Sequence, residues 1–244
     1  WAESPAAGRF HWDADHLAGV VRDPENRQRY LNLYDGEIRW TDSQLARLFA
    51  WLRATGLAEE TVVIVTADHG EEFLDHGWIE HSVTLYQELL HVPLIASGPG
   101  IPSSTVDTTL VGQIDILPTI LDLASLHAPE HLEGLPLLPA GSNPGRVLPS
   151  EAPTPNHWKP GEPCDRDWTA VRQGDLKLIW FADADSAVSF DLAEDPGELR
   201  PLPPDSSLLR SAMEHRARPR AFQPTRIEER DQEQREMLRD LGYI

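Results

Sequence analysis

Apolar and polar positions change rhythm several times along the chain, and each change marks an expected element. Val62, Val63, Ile64 and Val65 are β-branched and apolar without alternation, which predicts a strand over 61–67 covered on both faces, as in a parallel sheet flanked by helices. Ahead of it, Ile38, Leu45, Leu48, Phe49 and Leu52 recur at helical spacing. They predict one apolar face on a long helix over about 24–57, with Gly56 as its stop. After the strand, the pattern predicts helix over 82–90, strand over 92–97, strand over 108–113 and helix over 116–126. Pro118 fits a first helical turn, where its missing donor costs nothing. This alternation predicts the α/β class.

Beyond Gly134 the character shifts. Residues 168–172 and 176–181 flank Gln173, Gly174 and Asp175, a hairpin signature with glycine in the turn. Residues 187–190 add an expected third strand and 227–241 a closing helix. The expected division is an α/β part over 1–134, then a connection and a small antiparallel sheet-plus-helix subdomain over 135–244. The proline-rich stretches 128–163 and 201–224 read as connections, and residues 1–27, rich in Pro, Gly, His and charge, as loop.

Composition narrows the function classes. A net charge of −19 argues against a nucleic-acid or anionic-membrane binder, which would carry a basic footprint. The single cysteine, Cys164, rules out an intrachain disulfide. Neither a run of about 18 apolar residues nor a basic start leading into an apolar stretch occurs, so no membrane span or signal peptide is expected in this chain. The compartment stays open.

Candidate chemistry begins where the 61–67 strand runs into Asp68, His69 and Gly70, with His76 and His81 following. Open α/β sheets collect their chemistry beyond the carboxyl ends of strands, which puts Asp68 and His69 where a ligand or ion would sit. A carboxylate beside an imidazole suits Zn, Mn or an oxygen-rich Ca site. For the bare tripeptide, a turn-capping aspartate beside a loop histidine is an equal alternative.

Longer order decides between them. Asp68-His69-Gly70, His76-Gly77, Tyr86-Gln87-Glu88, Val92-Pro93-Leu94-Ile95 and Gly98-Pro99-Gly100 follow one another, and in this order the chain resembles the sulfatase family of the alkaline-phosphatase superfamily. The resemblance implies an alkaline-phosphatase/sulfatase-like sheet flanked by helices, with a small carboxyl-terminal antiparallel subdomain. It implies metal-assisted hydrolysis of a small-molecule or carbohydrate sulfate ester. Asp68 and His69 match the family's metal pair, with calcium the first expectation and manganese or zinc the alternatives. His81 falls where relatives place a Lys or His that stabilises charge or acts as general acid. His76 is expected in the site wall, with a loop histidine bonded to backbone as the alternative.

One departure qualifies the reading. The family's formylglycine comes from a Cys/Ser-x-Pro-x-Arg motif upstream of the Asp-His-Gly strand, together with an Asp-Asp metal pair, and both are expected in a region ahead of this chain. Ser142-Asn143-Pro144-Gly145-Arg146 spells the motif on the wrong side of that strand, and Cys164-Asp165-Arg166-Asp167 lacks the proline. The chain is therefore expected to carry part of a sulfatase site and to be inactive alone. A phosphodiesterase, phosphonate hydrolase or phosphatase of the same superfamily is the alternative, and a non-catalytic domain with the same fold a third. Trp78, Trp158, Trp168 and Trp180 could stack on a sugar or pack, and Trp78 stands out by lying between His76 and His81. The sequence is silent on oligomeric state.

Overall fold

Asp23 starts the long helix: its Oδ1 accepts the N–H groups of Glu25 and Asn26, both at 3.0 Å, and Pro24 takes the first helical position. Helix α1 then runs Pro24–Ala54, and Gly56, at φ +75°, turns the chain out of it. In this computed structural model residues 19–81, 84–137, 145–152 and 168–218 are described. Of the expected apolar face, Leu45 and Phe49 are half-buried and Leu52 is buried, whereas Ile38 and Leu48 are exposed. The amino-terminal half of α1 packs through tyrosines instead. Tyr30 and Tyr34 set their rings edge-on to Phe73, with centroids 5.7 and 5.1 Å away.

The apolar run forms β1, Val63–Thr66, and residues 92–97 yield β4, Leu94–Ser97. The two pair antiparallel, Val63 opposite Ser97 and Thr66 opposite Leu94, where the run suggested a parallel neighbour. The cover expected on both faces is also incomplete, with Val63, Ile64 and Val65 half-buried and Thr66 exposed, and an unbroken apolar stretch carries no signal of strand direction. Between them lie a minimal hairpin, β2 (Glu72–Phe73) and β3 (Ile79–Glu80), and a single helical turn, α2 (Gln87–Leu90). The helix expected over 82–90 is thus helical only in its last turn among its described residues, because Tyr86 is extended. The strand expected over 108–113 does not form. The Asp107 carboxylate captures the N–H of Thr109 at 2.8 Å, a local bond that competes with a sheet ladder. Gln113–Asp115 is a 3-10 turn leading into α3, Ile116–Leu123.

The carboxyl-terminal part is one antiparallel sheet of β5 (Leu148–Ala152), β6 (Trp168–Gln173), β7 (Leu176–Phe181) and β8 (Ser186–Asp191), in that spatial order. The expected hairpin is there: Gln173 faces Leu176 across a turn in which Gly174 takes φ +57°. Two elements arise where connections were expected. Strand β5 lies within 128–163, and it tolerates Pro149 because it is an edge strand. Helix α4, Ser206–Ala217, lies within 201–224. Asp205 caps it through the N–H groups of Ser207 and Leu208 at 2.9 Å, in a window that Pro204 and Pro219 bracket and leave free of proline.

Alternation along β6 and β7 splits the core in two. Ala170 and Ile179 join Leu85 and Phe190 on one face, while Val171 and Leu178 pack on Leu208 and Ala212 of α4 on the other. Among the described residues no helix is long and apolar enough to cross a membrane. The closing helix expected over 227–241 lies outside the described residues, as do residues 1–18 of the loop expected over 1–27; of the rest of that stretch, residues 19–21 and 24–27 are helical.

Candidate active site

The carboxyl end of β1 is held from the side. Gln113 donates its Nε2 hydrogens to the carbonyls of Ala67 and Asp68, both at 2.7 Å. The next step needs a glycine, because a Cβ on Gly70 would stand 1.8 Å from the Glu88 carbonyl oxygen. That close approach lets the Gly70 N–H donate to Leu89 at 2.9 Å and docks the turn on α2. Asp68 is left with its side chain 82% exposed, Oδ2 lying 3.7 Å from His69 Nε2. His69 Nδ1 sits 2.8 Å from the Gly70 carbonyl. A carbonyl only accepts, so Nδ1 carries a hydrogen and Nε2 is the ring nitrogen on the side of the carboxylate.

His81 stacks on His69, with ring centroids 4.1 Å apart at 29°. Its Nδ1 lies 3.1 Å from Glu71 Oε2. That hydrogen bond raises the His81 pKa above the usual histidine value against the opposing pull of burial, and the negative charges of Glu71, Glu80 and Asp68 add to the rise. The partnership follows from the hairpin register: Glu72 faces Glu80 across β2 and β3, which makes Glu71 and His81 the next pair outward. Glu71 and Gln113 were not singled out from the sequence. Glu71 directly follows the Asp-His-Gly tripeptide, but its partner is set by a two-residue ladder too short to read from pattern.

Asp68, His69 and His81 line one cleft of about 990 Å³, whose wall continues to Glu151 and Arg172 on the carboxyl-terminal sheet. His76 is not in that lining. Its Nδ1 is 2.5 Å from Glu88 Oε1 and its Nε2 is 3.2 Å from the Glu198 carbonyl, and the ring lies flat on Tyr86 at 3.6 Å. Trp78 is half-buried and also outside the lining. Trp168 packs edge-on to Phe181 at 4.6 Å, and Trp180 lies 5.9 Å from the Arg216 guanidinium carbon. Trp158 lies outside the described residues.

Asp68 and His69 fit a divalent cation as a pair. The Gly70 carbonyl orients the His69 ring as second partners orient metal-ligating histidines, with Nε2 free to coordinate. Among the described residues no group of three or more His, Cys, Asp or Glu closes around an ion. Two donors are fewer than a closed shell requires, which for calcium is about 6–8 oxygens. Of the Ser-x-Pro-x-Arg look-alike, Ser142, Asn143 and Pro144 lie outside the described residues, as does Cys164. Arg146 is already engaged: its guanidinium grips buried Asp115 at 2.5 and 2.8 Å. Burial pulls the Asp115 carboxyl up, but Arg146 and the N–H groups of Gly112 and Leu135 outweigh it and hold the group below its ordinary value.

Comparison with known proteins bears on the family of the chain. The family profile described as Sulfatase matches residues 8–126, and that described as N-sulphoglucosamine sulphohydrolase, C-terminal, matches residues 74–217. Arylsulfatase K of Bos taurus is 33% identical over 168 residues, 65% of this chain and 30% of the relative. N-acetylglucosamine-6-O-sulfatase of Bacteroides thetaiotaomicron is 28% identical over 184 residues, 70% of this chain and 32% of the relative. The solved structure of a 2-O GAG sulfatase superposes with a TM-score of 0.66 at 25% identity, covering 82% of this chain and 44% of that one. The chain spans about a third of the length of the curated relatives it matches.

Proposed function

The chain belongs to the sulfatase family, and on that premise we propose that the whole protein hydrolyses a sulfate ester of a carbohydrate in the cleft at the end of β1. Residues 1–134 act as the carboxyl-side part of the catalytic domain and 135–244 as its smaller subdomain. The convergence of Asp68, His69 and His81 on one cleft wall, each imidazole oriented through Nδ1 by an oxygen acceptor, carries the reading.

Asp68 and His69 are the chain's share of a divalent-cation site, with calcium foremost. A cation bound there supplies positive charge against the oxygens of the sulfuryl group. Glu71 holds His81 by Nδ1 and favours its protonated form. His81 Nε2–H then donates to a sulfate oxygen or to the leaving oxygen, where negative charge grows as the S–O bond breaks. The nucleophile in this reading is a formylglycine of the whole protein. The carbohydrate class is supported by what relatives are named for: an N-acetylglucosamine-6-O-sulfatase and a 2-O GAG sulfatase. Phosphoryl-transfer members of the superfamily gain no better support from the relatives matched.

Sulfate release from 6-O-sulfated N-acetylglucosamine by the whole protein tests the proposal, run beside a phosphonate monoester and a phosphodiester. The expected order is sulfate ester first in kcat/KM, with release lost in Asp68→Asn. A higher kcat/KM for either phosphorus ester, or full sulfate release by Asp68→Asn, would overturn it.

A further inference from the structure

Glu198 is a buried carboxylate in the turn after β8, outside the cleft lining and at φ +53°, a conformation that side-chain-bearing residues rarely take. Its own backbone is held by the turn, where the Glu198 N–H donates to Asp195 at 3.1 Å. Three contacts leave it in different directions. Oε1 pairs with Lys177 Nζ on β7 at 2.7 Å, both groups being almost wholly buried. Oε2 accepts the N–H of Gln87, the first residue of α2, at 2.6 Å. The backbone carbonyl accepts from His76 Nε2 at 3.2 Å, and the other side of that ring meets Glu88. Helix α2 in turn carries the Glu88 and Leu89 carbonyls against which Gly70 is seated.

We propose that Glu198 is a positioning residue of the cleft: with Lys177 it ties segment 71–81 and the start of α2 to the carboxyl-terminal sheet, and so sets where His81 stands. The proposal rests on the role given above to His81. Its physical basis is the cost of a stranded charge. Glu198 cannot swing away from Lys177 without leaving both ions buried and unpaired, so the carboxylate stays in place and α2 and His76 are held to it. A buried ion pair contributes little net stability against an apolar pair of similar volume, so its consequence here is geometry. The carboxyl-terminal sheet, which also lines part of the cleft, thereby acts on His81 through the Lys177–Glu198 pair.

The test separates positioning from folding by comparing Glu198→Ala with the double variant Lys177→Met/Glu198→Leu, which removes both charges and refills their volume. Hydrogen exchange in this chain should quicken about tenfold or more over 71–81 and 84–90 relative to β6 and β7 in both variants, even where the double variant regains the parent melting temperature. In the whole protein, kcat should fall about tenfold or more with KM within about twofold. Exchange that rises equally across the chain, or a double variant with parental kcat and parental exchange over 71–90, overturns the proposal. The exchange contrast needs no turnover, so it decides the positioning role even if the sulfatase reading fails.

Discussion

The histidine segment from Gly70 to His81 and the four-stranded sheet that follows it are built on opposite principles. The sheet has two six-residue strands at its centre, paired on both sides, with Leu178 and Ile179 wholly buried. The histidine segment has two strands of two residues and two non-glycine residues, Leu74 and Glu80, at φ +71° and +69°. It also buries the carboxylates of Glu72 and Glu80, and burial pushes both groups above their ordinary pKa values. A ladder that short cannot hold a site by itself. The segment is held from outside by α2, on which Gly70 is seated, and in our proposal by the Lys177–Glu198 pair, so the regular part of the molecule steadies the strained part that carries the candidate site.

The comparison breaks first if the two regions unfold separately. Leu178→Ala should cost about 2–5 kcal/mol in denaturant unfolding, the range for large-to-small changes at a filled core position. Histidine-segment and sheet probes should shift together, and a histidine segment that keeps its parental midpoint would show it to be independent of the sheet. Next in size is His81→Ala in the whole protein. Turnover should drop about a hundred- to a thousandfold, as for loss of a transition-state donor, with the melting temperature nearly unchanged. His81→Lys should recover part of the rate. Parental turnover in a well-folded His81→Ala protein would remove His81 from the site.

Glu72 sharpens the contrast through pH. Burial foremost, with Thr84 opposing, pushes its pKa to about 7 from 4.5. The folded state thus favours the protonated acid. This contribution to stability is full below about pH 4.5 and is lost as pH rises through about 7, a loss on the order of 3 kcal/mol at 1.36 kcal/mol per unit. Glu72→Gln should flatten that decline and melt higher than the parent at pH 8. A parent protein whose stability rises across that interval, with Glu72→Gln following it, would refute the assignment. The smallest effect belongs to the exposed helix. Arg29→Ala breaks the Glu25 pair at 2.6 Å on the surface of α1 and should change stability by less than about 0.5 kcal/mol, less still in high salt.

Local chemistry made much of this molecule readable from its sequence. The helix from Pro24, the β6–β7 hairpin turning at Gly174 and the strand of four β-branched residues running towards Asp68 and His69 each depend on residues close to one another in the chain. The ordered motifs from Asp68 to Gly100 were likewise legible as those of a sulfatase. Tertiary structure decided what depends on distant partners. The direction of β4 against β1, the pairing of Glu71 with His81 and the seating of Gly70 under α2 all come from contacts across loops. The elements β5 and α4 appeared where proline content suggested only connection, one as a sheet edge that needs no donor from Pro149, the other capped by Asp205. His76 shows the limit most clearly. Its motif suggested the site wall, but its ring is claimed by Glu88 and by the carbonyl of Glu198, 122 residues away, and no spacing rule encodes a hydrogen bond whose partner is delivered by the folding of a separate sheet.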